Sequence, residues 1–202
     1  MSNAYRLMDE NIWGESYKSV LALCFQYADY FTLNDYRLYL GYDLPLRLES
    51  FVVESFKTAY AFLNPTYNYD DNGILVPADK IETTIYKATQ QAKEIVSYIS
   101  NNIYLEAGTI EIFEPKLNRI VSGTSWHGED LCFYRGNKLF FGTLSHEYEC
   151  VLYPQSKEML SLFQNHATWL EMNHYLQYVT KLSDYPISQG LRNELMREDS
   201  SN

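Results

Sequence analysis

The chain has 202 residues, 46% hydrophobic and 21% charged, so one domain spanning residues 1–202 can bury a core without disulfides or metals. A formal net charge of −10 repels phosphate backbones, which excludes direct nucleic-acid binding as a first expectation and favours a basic protein partner. Cys24, Cys132 and Cys150 are an odd set without CxxC spacing, no opening segment pairs a basic region with an apolar run, and no run approaches the roughly 18 apolar residues of a membrane span; a reduced, cytoplasmic protein with no membrane partner is expected.

Trp13, Tyr17, Val20, Leu21, Cys24, Tyr27, Ala28 and Phe31 recur at helical spacing and predict a first helix from about Glu10 to Tyr30, with Cys24 a small buried hydrophobe. Tyr36 to Leu48 alternates around Gly41 and Pro45 and reads as short extended pieces or an irregular link. Val52, Phe56, Ala59, Tyr60 and Leu63 predict a second helix, stopped before Pro65. Residues 64–77 form a predicted loop, with room for a small hairpin at Asn72-Gly73. Asp79 and Glu82 fit a capping box. Ile81, Ile85, Ala88, Ala92, Ile95, Val96, Ile99 and Ile103 then carry the clearest helical stripe, predicting a third helix over about 79–102.

At Ile110 the apolar period changes to two. Ile110 and Ile112 predict a strand ended by Pro115, and Leu117 to Val121 another. Residues 126–147, "WHGEDLCFYRGNKLFFGTLSHE", predict a hairpin turning at Gly136-Asn137. That turn sets Arg135 against Lys138, Tyr134 against Leu139, Phe133 against Phe140 and Cys132 against Phe141. Both faces are apolar, so the hairpin is expected at the centre of a sheet covered on two sides. Cys150 to Tyr153 predicts one more strand. Ser156 caps a fourth helix carrying Leu160, Phe163, Ala167 and Leu170 and running to about Val179; Pro186 opens a short last helix through Leu191 and Leu195, before a frayed tail. The expected class is α+β: a helical N-terminal half over about 10–103, a central antiparallel β-meander over about 108–154, and C-terminal helices over about 156–196 packed on the sheet.

Two sets of residues are candidates for function. Carried outward unbroken, the hairpin register sets Glu129 opposite Leu144 and His127 opposite His146, so that His127, Glu129 and His146 share one face. Two imidazoles and a carboxylate suit a divalent metal or acid–base work. Gly128, however, invites a bulge that would flip the parity, so neither a metal nor a cofactor is expected, and a small metal-dependent or acid–base enzyme stands as the alternative. His166 and His174 are eight apart rather than the four of a helical zinc pair, and none of the 9 glycines builds a phosphate loop or a nucleophile elbow. The second set is Tyr67, Tyr69, Asp70 and Asp71, where tyrosine contacts and paired carboxylates suit a Lys- or Arg-rich surface. The expected function is an acidic protein-binding module that neutralises or sequesters a basic partner, as immunity proteins, antitoxins and inhibitors of nucleic-acid enzymes do; the likeness is one of charge and size only. A structural subunit of a homo-oligomer, burying some of its 19 tyrosines in self-contact, is a further alternative.

Overall fold

The Gly136-Asn137 turn joins two strands, β9 (Gly128–Arg135) and β10 (Lys138–Leu144). Gly136 takes φ +53, a backbone conformation open to glycine at no steric cost, and Asn137 stays at negative φ, the pattern of a II′ turn. Arg135 pairs with Lys138 and Tyr134 with Leu139, as the turn predicts. The register then slips by one residue: Phe133 pairs with Phe141 and Cys132 with Gly142. The extra residue is Phe140. Its bulge places Phe140 and Phe141 on the same face of the sheet, where both reach Phe133, with ring centroids 6.4 and 6.0 Å away.

The computed structural model describes residues 3–35, 48–58, 67–69, 75–77, 81–105, 109–114, 119–124, 128–145, 148–172 and 181–200. Ahead of the hairpin lie β1 (Ala4–Leu7), helix α1 (Gly14–Tyr27), β2 (Tyr30–Asp35) and β3 (Val52–Thr58). They are followed by β4 (Tyr67–Tyr69), β5 (Leu75–Pro77), β6 (Ile81–Lys87), α2 (Gln90–Ile99), β7 (Thr109–Glu114) and β8 (Arg119–Thr124). After the hairpin come β11 (Glu149–Leu152), α3 (Lys157–Gln164), β12 (Trp169–Met172) and α4 (Gln189–Ser200). Eight strands make one antiparallel sheet in the order β12-β1-β11-β10-β9-β2-β6-β3, and β4-β5 and β7-β8 are separate two-stranded ladders.

Both faces of this sheet are covered. Phe31, Leu33, Leu131, Phe133, Cys150 and Leu152 face α1, α2 and α3, which supply Tyr17, Val20, Leu21, Ala92, Val96, Met159 and Phe163. Tyr30, Cys132, Tyr134, Leu139 and Val151 face the C-terminal segment, which supplies Leu182, Tyr185, Ile187, Leu191 and Leu195. That segment is tied to the hairpin tip. Asn137 is buried, accepts from the Ser183 N–H at 2.8 Å and donates to Ser183 Oγ at 2.9 Å. Glu54 on β3 accepts from the N–H and hydroxyl of Ser188, and the Ser188 Oγ in turn accepts from Leu191 N in the first turn of α4.

The class is α+β, but the helical N-terminal half is corrected. The first helix stops at Tyr27, and Tyr30–Asp35 enters the sheet between β9 and β6. The predicted second helix is instead the edge strand β3 at its start, Phe56 packing on Tyr185 with ring centroids 5.0 Å apart. The first turn of the predicted third helix is β6, and α2 begins only at the Thr89 cap, whose side chain accepts from Ala92 N at 3.1 Å. The cause is common to both. Apolar residues four apart, such as Val52 and Phe56 or Ile81 and Ile85, satisfy a helical stripe and one face of a strand equally well. The fourth helix starts where expected, with Ser156 accepting from Met159 N at 3.1 Å, but it ends at Gln164 because Trp169–Met172 pairs with β1 as an edge strand. The last helix runs on to Ser200 through the tail expected to fray. The 36–47 part of the predicted link, Asp79, and the 173–180 end of the predicted fourth helix lie outside the described residues. No helix among the described residues is long and apolar enough to cross a membrane.

Phe133 touches aromatic rings of Phe25, Phe31, Phe140 and Phe141. Phe133→Ala is expected to destabilise the chain by about 3–5 kcal/mol, measured as the shift in urea midpoint; a loss below about 1 kcal/mol would show that this cluster is not the centre of the core.

Candidate functional site

The predicted His127–Glu129–His146 face rests on an unbroken β9–β10 ladder, and that ladder slips once, while β9 also slips against its other neighbour, β2. One slip is the Phe140 bulge. The other lies between β2 and β9, where Thr32 pairs with Cys132 but Asn34 pairs with Glu129. His127 and His146 lie outside the described residues, and Glu129 is a backbone partner of Asn34 in the sheet. The residue that the second slip forces inward is Asp130, at φ +55 and 1% exposed. Its carboxylate accepts from Asn34 Nδ2 at 2.9 Å and from Ser145 N at 2.9 Å; its own N–H donates to Ser145 Oγ at 3.1 Å, and Thr83 Oγ1 donates to Asn34 Oδ1 at 2.7 Å. A buried carboxylate satisfied in this way locks three strands together. The Gly128 signal pointed to a bulge near here, but nothing in the residue pattern pointed to Asp130.

Cys24, Cys132 and Cys150 are buried free thiols. Burial pushes all three up from the ordinary thiol value, with a neighbouring group adding in each case: Cys150 for Cys24, Asp130 for Cys132, and Cys132 for Cys150. They stay protonated and unreactive near neutral pH. Among the described residues no group of three or more His, Cys, Asp or Glu side chains is placed to hold a metal ion. Of the predicted interface, Tyr67 and Tyr69 fall on β4, paired with Pro77 and Leu75, while Asp70 and Asp71 lie outside the described residues.

Among the described residues, exposed aromatic side chains gather at another place, between the end of β1 and the start of β11. Residues 8–14 cross from β1 to α1 and are fixed at both ends. Met8 N donates to Thr168 O at 2.9 Å and Asp9 Oδ2 accepts from Thr168 N at 2.8 Å. Gly14, at φ +57, donates from its N–H to Asn101 O at 2.9 Å, and Ile12 O accepts from Ile103 N at 3.1 Å. Only the Ile12 side chain in this crossing is buried; Met8 is 54% and Trp13 52% exposed. Facing them is Tyr148, 56% exposed and held at φ +52. Its carbonyl accepts from the buried Tyr104 hydroxyl at 2.9 Å, and its ring meets Tyr104 edge-on at 5.4 Å. Burial above all pushes the Tyr104 phenol up, so it remains a donor. Beside it Arg6 pairs with Glu149 at 3.0 Å.

Together these residues bound an open cleft of about 1010 Å³, whose lining includes Arg6, Met8, Asp9, Glu10, Trp13 and Tyr148. Chemically it offers two aromatic rings, a thioether and carboxylates, held on stapled backbone. It does not bring together a nucleophile and a base. Trp13 fits the helical stripe of α1 and so reads as core; it is exposed because it precedes the helix rather than lying within it. Tyr148 carries no signal beyond the general abundance of tyrosine.

No family model, no curated protein and no solved structure matches this chain.

The buried acids make a pH prediction. Cys24, Cys132 and Cys150, ordinarily at 9.0, and Tyr17, Tyr104, Tyr134 and Tyr185, ordinarily at 10.0, are all raised in the folded chain, burial being the largest cause. A raised folded value means the native state keeps protons that the unfolded chain releases. The stabilisation is therefore whole below about pH 9 and is lost as pH climbs above it. Tm should hold level through neutrality and drop steadily from about pH 9, while a thiol reagent at pH 8 labels the cysteines only after denaturant is added. A Tm unchanged at about pH 10.5, or rapid labelling of the native chain, would contradict these buried sites.

Proposed function

We propose that this chain is an acidic protein-binding module that captures a basic partner, with the Met8–Trp13–Tyr148 cleft as the contact surface. The observation that carries this reading is the grouping of exposed apolar side chains. Six large hydrophobic residues are exposed among the described residues, and Met8, Trp13 and Tyr148 share one cleft. Aromatic residues concentrated at one exposed spot are the usual anchors of a protein interface. The strained φ of Tyr148 supports it, because holding a bulky residue in the left-handed region costs about 1–3 kcal/mol, and such conformations cluster at functional sites.

The net charge of −10 supplies the second half of the reading. It accelerates encounter with a positive surface and disfavours nucleic acid as a competitor. Asp70 and Asp71 add to the negative field, and Tyr67 and Tyr69 extend the contact if the partner reaches β4. Occluding a basic functional surface, in the manner of an immunity protein, an antitoxin or an inhibitor of a nucleic-acid enzyme, is the consequence of binding there.

Affinity capture with the full chain tests this, using wild type, Trp13→Ala and Tyr148→Ala side by side at low and high salt. The expected result is a captured protein of net positive charge, an association rate that falls as salt rises, and about tenfold faster dissociation, worth about 1.4 kcal/mol, in either variant. An acidic partner, or a partner held equally by all three proteins, would overturn the reading.

A further inference from the structure

Resting on that reading, we propose that the cleft takes the guanidinium of an arginine on an extended basic segment of the partner, stacked on Trp13 and Tyr148 and met by the Glu10 carboxylate. The cleft is not simply apolar. Its one cation among the described residues, Arg6, is already paired with Glu149. Asp9 accepts from the Thr168 N–H through one carboxylate oxygen. Glu10 is exposed and makes no hydrogen bond or ion pair with another described residue. Two aromatic rings beside carboxylates that pair with no cation among the described residues form a site for a cation with a flat apolar face. The fold already uses such a contact internally: Lys87 Nζ sits 4.0 Å over the ring of Tyr30.

Arginine fits better than lysine on physical grounds. A guanidinium is planar, weakly hydrated and able to stack on a ring while its edge donates two parallel hydrogen bonds to a carboxylate; an ammonium is a strongly hydrated point charge that does neither. Met8 completes the wall with a polarizable thioether that adapts to the aliphatic stem of the side chain. The backbone under Trp13 and Tyr148 is fixed by the bonds to Asn101, Asn102 and Tyr104, so the rings are presented on rigid supports and little order has to be gained on binding.

The test uses the full chain and three short peptides of one design: arginine-bearing, the same with lysine, and the same with citrulline, which keeps the shape of arginine without its charge. Affinity is read by calorimetry. Engagement of the cleft is read from the Trp13 indole N–H resonance, assigned with Trp13→Phe. The arginine peptide is expected to shift that resonance and bind about tenfold tighter than the lysine peptide, with the citrulline peptide weaker than either. Trp13→Ala, Tyr148→Ala and Glu10→Gln should each weaken the arginine peptide by about threefold to tenfold, and Tyr148→Phe should retain it. All three positions are exposed, and a melting check confirms that each variant folds. Equal binding of arginine and citrulline peptides would make this an apolar groove and overturn the proposal. Salt-sensitive binding of both charged peptides without a Trp13 shift would overturn the arginine seat and leave the basic-partner reading intact. No binding of either charged peptide would overturn both. Self-association abolished by Trp13→Ala would assign the cleft to a second copy of this chain instead.

Discussion

The fold depends on one constraint: the β9–β10 hairpin is apolar on both faces. Leu131, Cys132, Phe133 and Tyr134 are consecutive and all buried, and so are residues from Leu139 to Leu144. A strand alternates its side chains, so four buried residues in a row require a cover on each side of the sheet. Three helices form one cover and the C-terminal segment forms the other. The same constraint explains the Phe140 bulge. Phe140 and Phe141 both belong on the three-helix face, and only an extra residue in β10 can put them there. Position at the sheet centre then fixes the neighbours: β2 and β11 lie against the hairpin, and the short or strongly polar strands β12 and β3 are left at the edges.

Polar groups inside this structure are almost all spent on holding it together. Asp130, Asn34, Thr83 and Ser145 close a network where the second bulge would otherwise open the sheet. Asn137 and Ser183 lock the hairpin tip to the far cover, and Arg192 donates to the carbonyls of Ser183 and Tyr185 to fix the approach to α4. Asp29 accepts from Gly136 N at 2.7 Å and so ties the turn to the end of α1. Tyr17 is different: its hydroxyl is buried with no hydrogen-bond partner among the described residues, a placement that costs about 1–3 kcal/mol and is sustained by the ring's burial against α1's neighbours.

Against that background the cleft at the β1–α1 crossing is the place where stability has been given up. Exposed Met8, Trp13 and Tyr148 contribute little to the core, yet backbone hydrogen bonds anchor the chain at or beside each of them. Leu105, buried at φ +53, and Tyr148 at φ +52 are both in a conformation unfavourable for their type, and both adjoin Tyr104. The surface is apolar and acid-rimmed, on a protein of net charge −10, and that combination is what the proposed recognition of a basic partner rests on.

Local chemistry was legible in the sequence. The Gly136-Asn137 turn, the Ser156 cap, the strands around Ile110 and Cys150, the last helix and the burial of Cys24 follow from a few adjacent residues and their own backbone preferences. What the sequence left open were segments whose structure depends on a distant partner. Apolar residues four apart in 52–58 and 81–87 are neutral between helix and strand, and pairing of β6 with both β2 and β3 decides for strand. The tail of the fourth helix yields to β1, more than 150 residues away in the chain. The hairpin register beyond Leu139 is set by which aromatic rings the helices on one face can accommodate. The candidate site is the extreme case: Met8, Trp13 and Tyr148 are ordinary core-type residues by composition, and only the tertiary structure leaves them uncovered around one cleft.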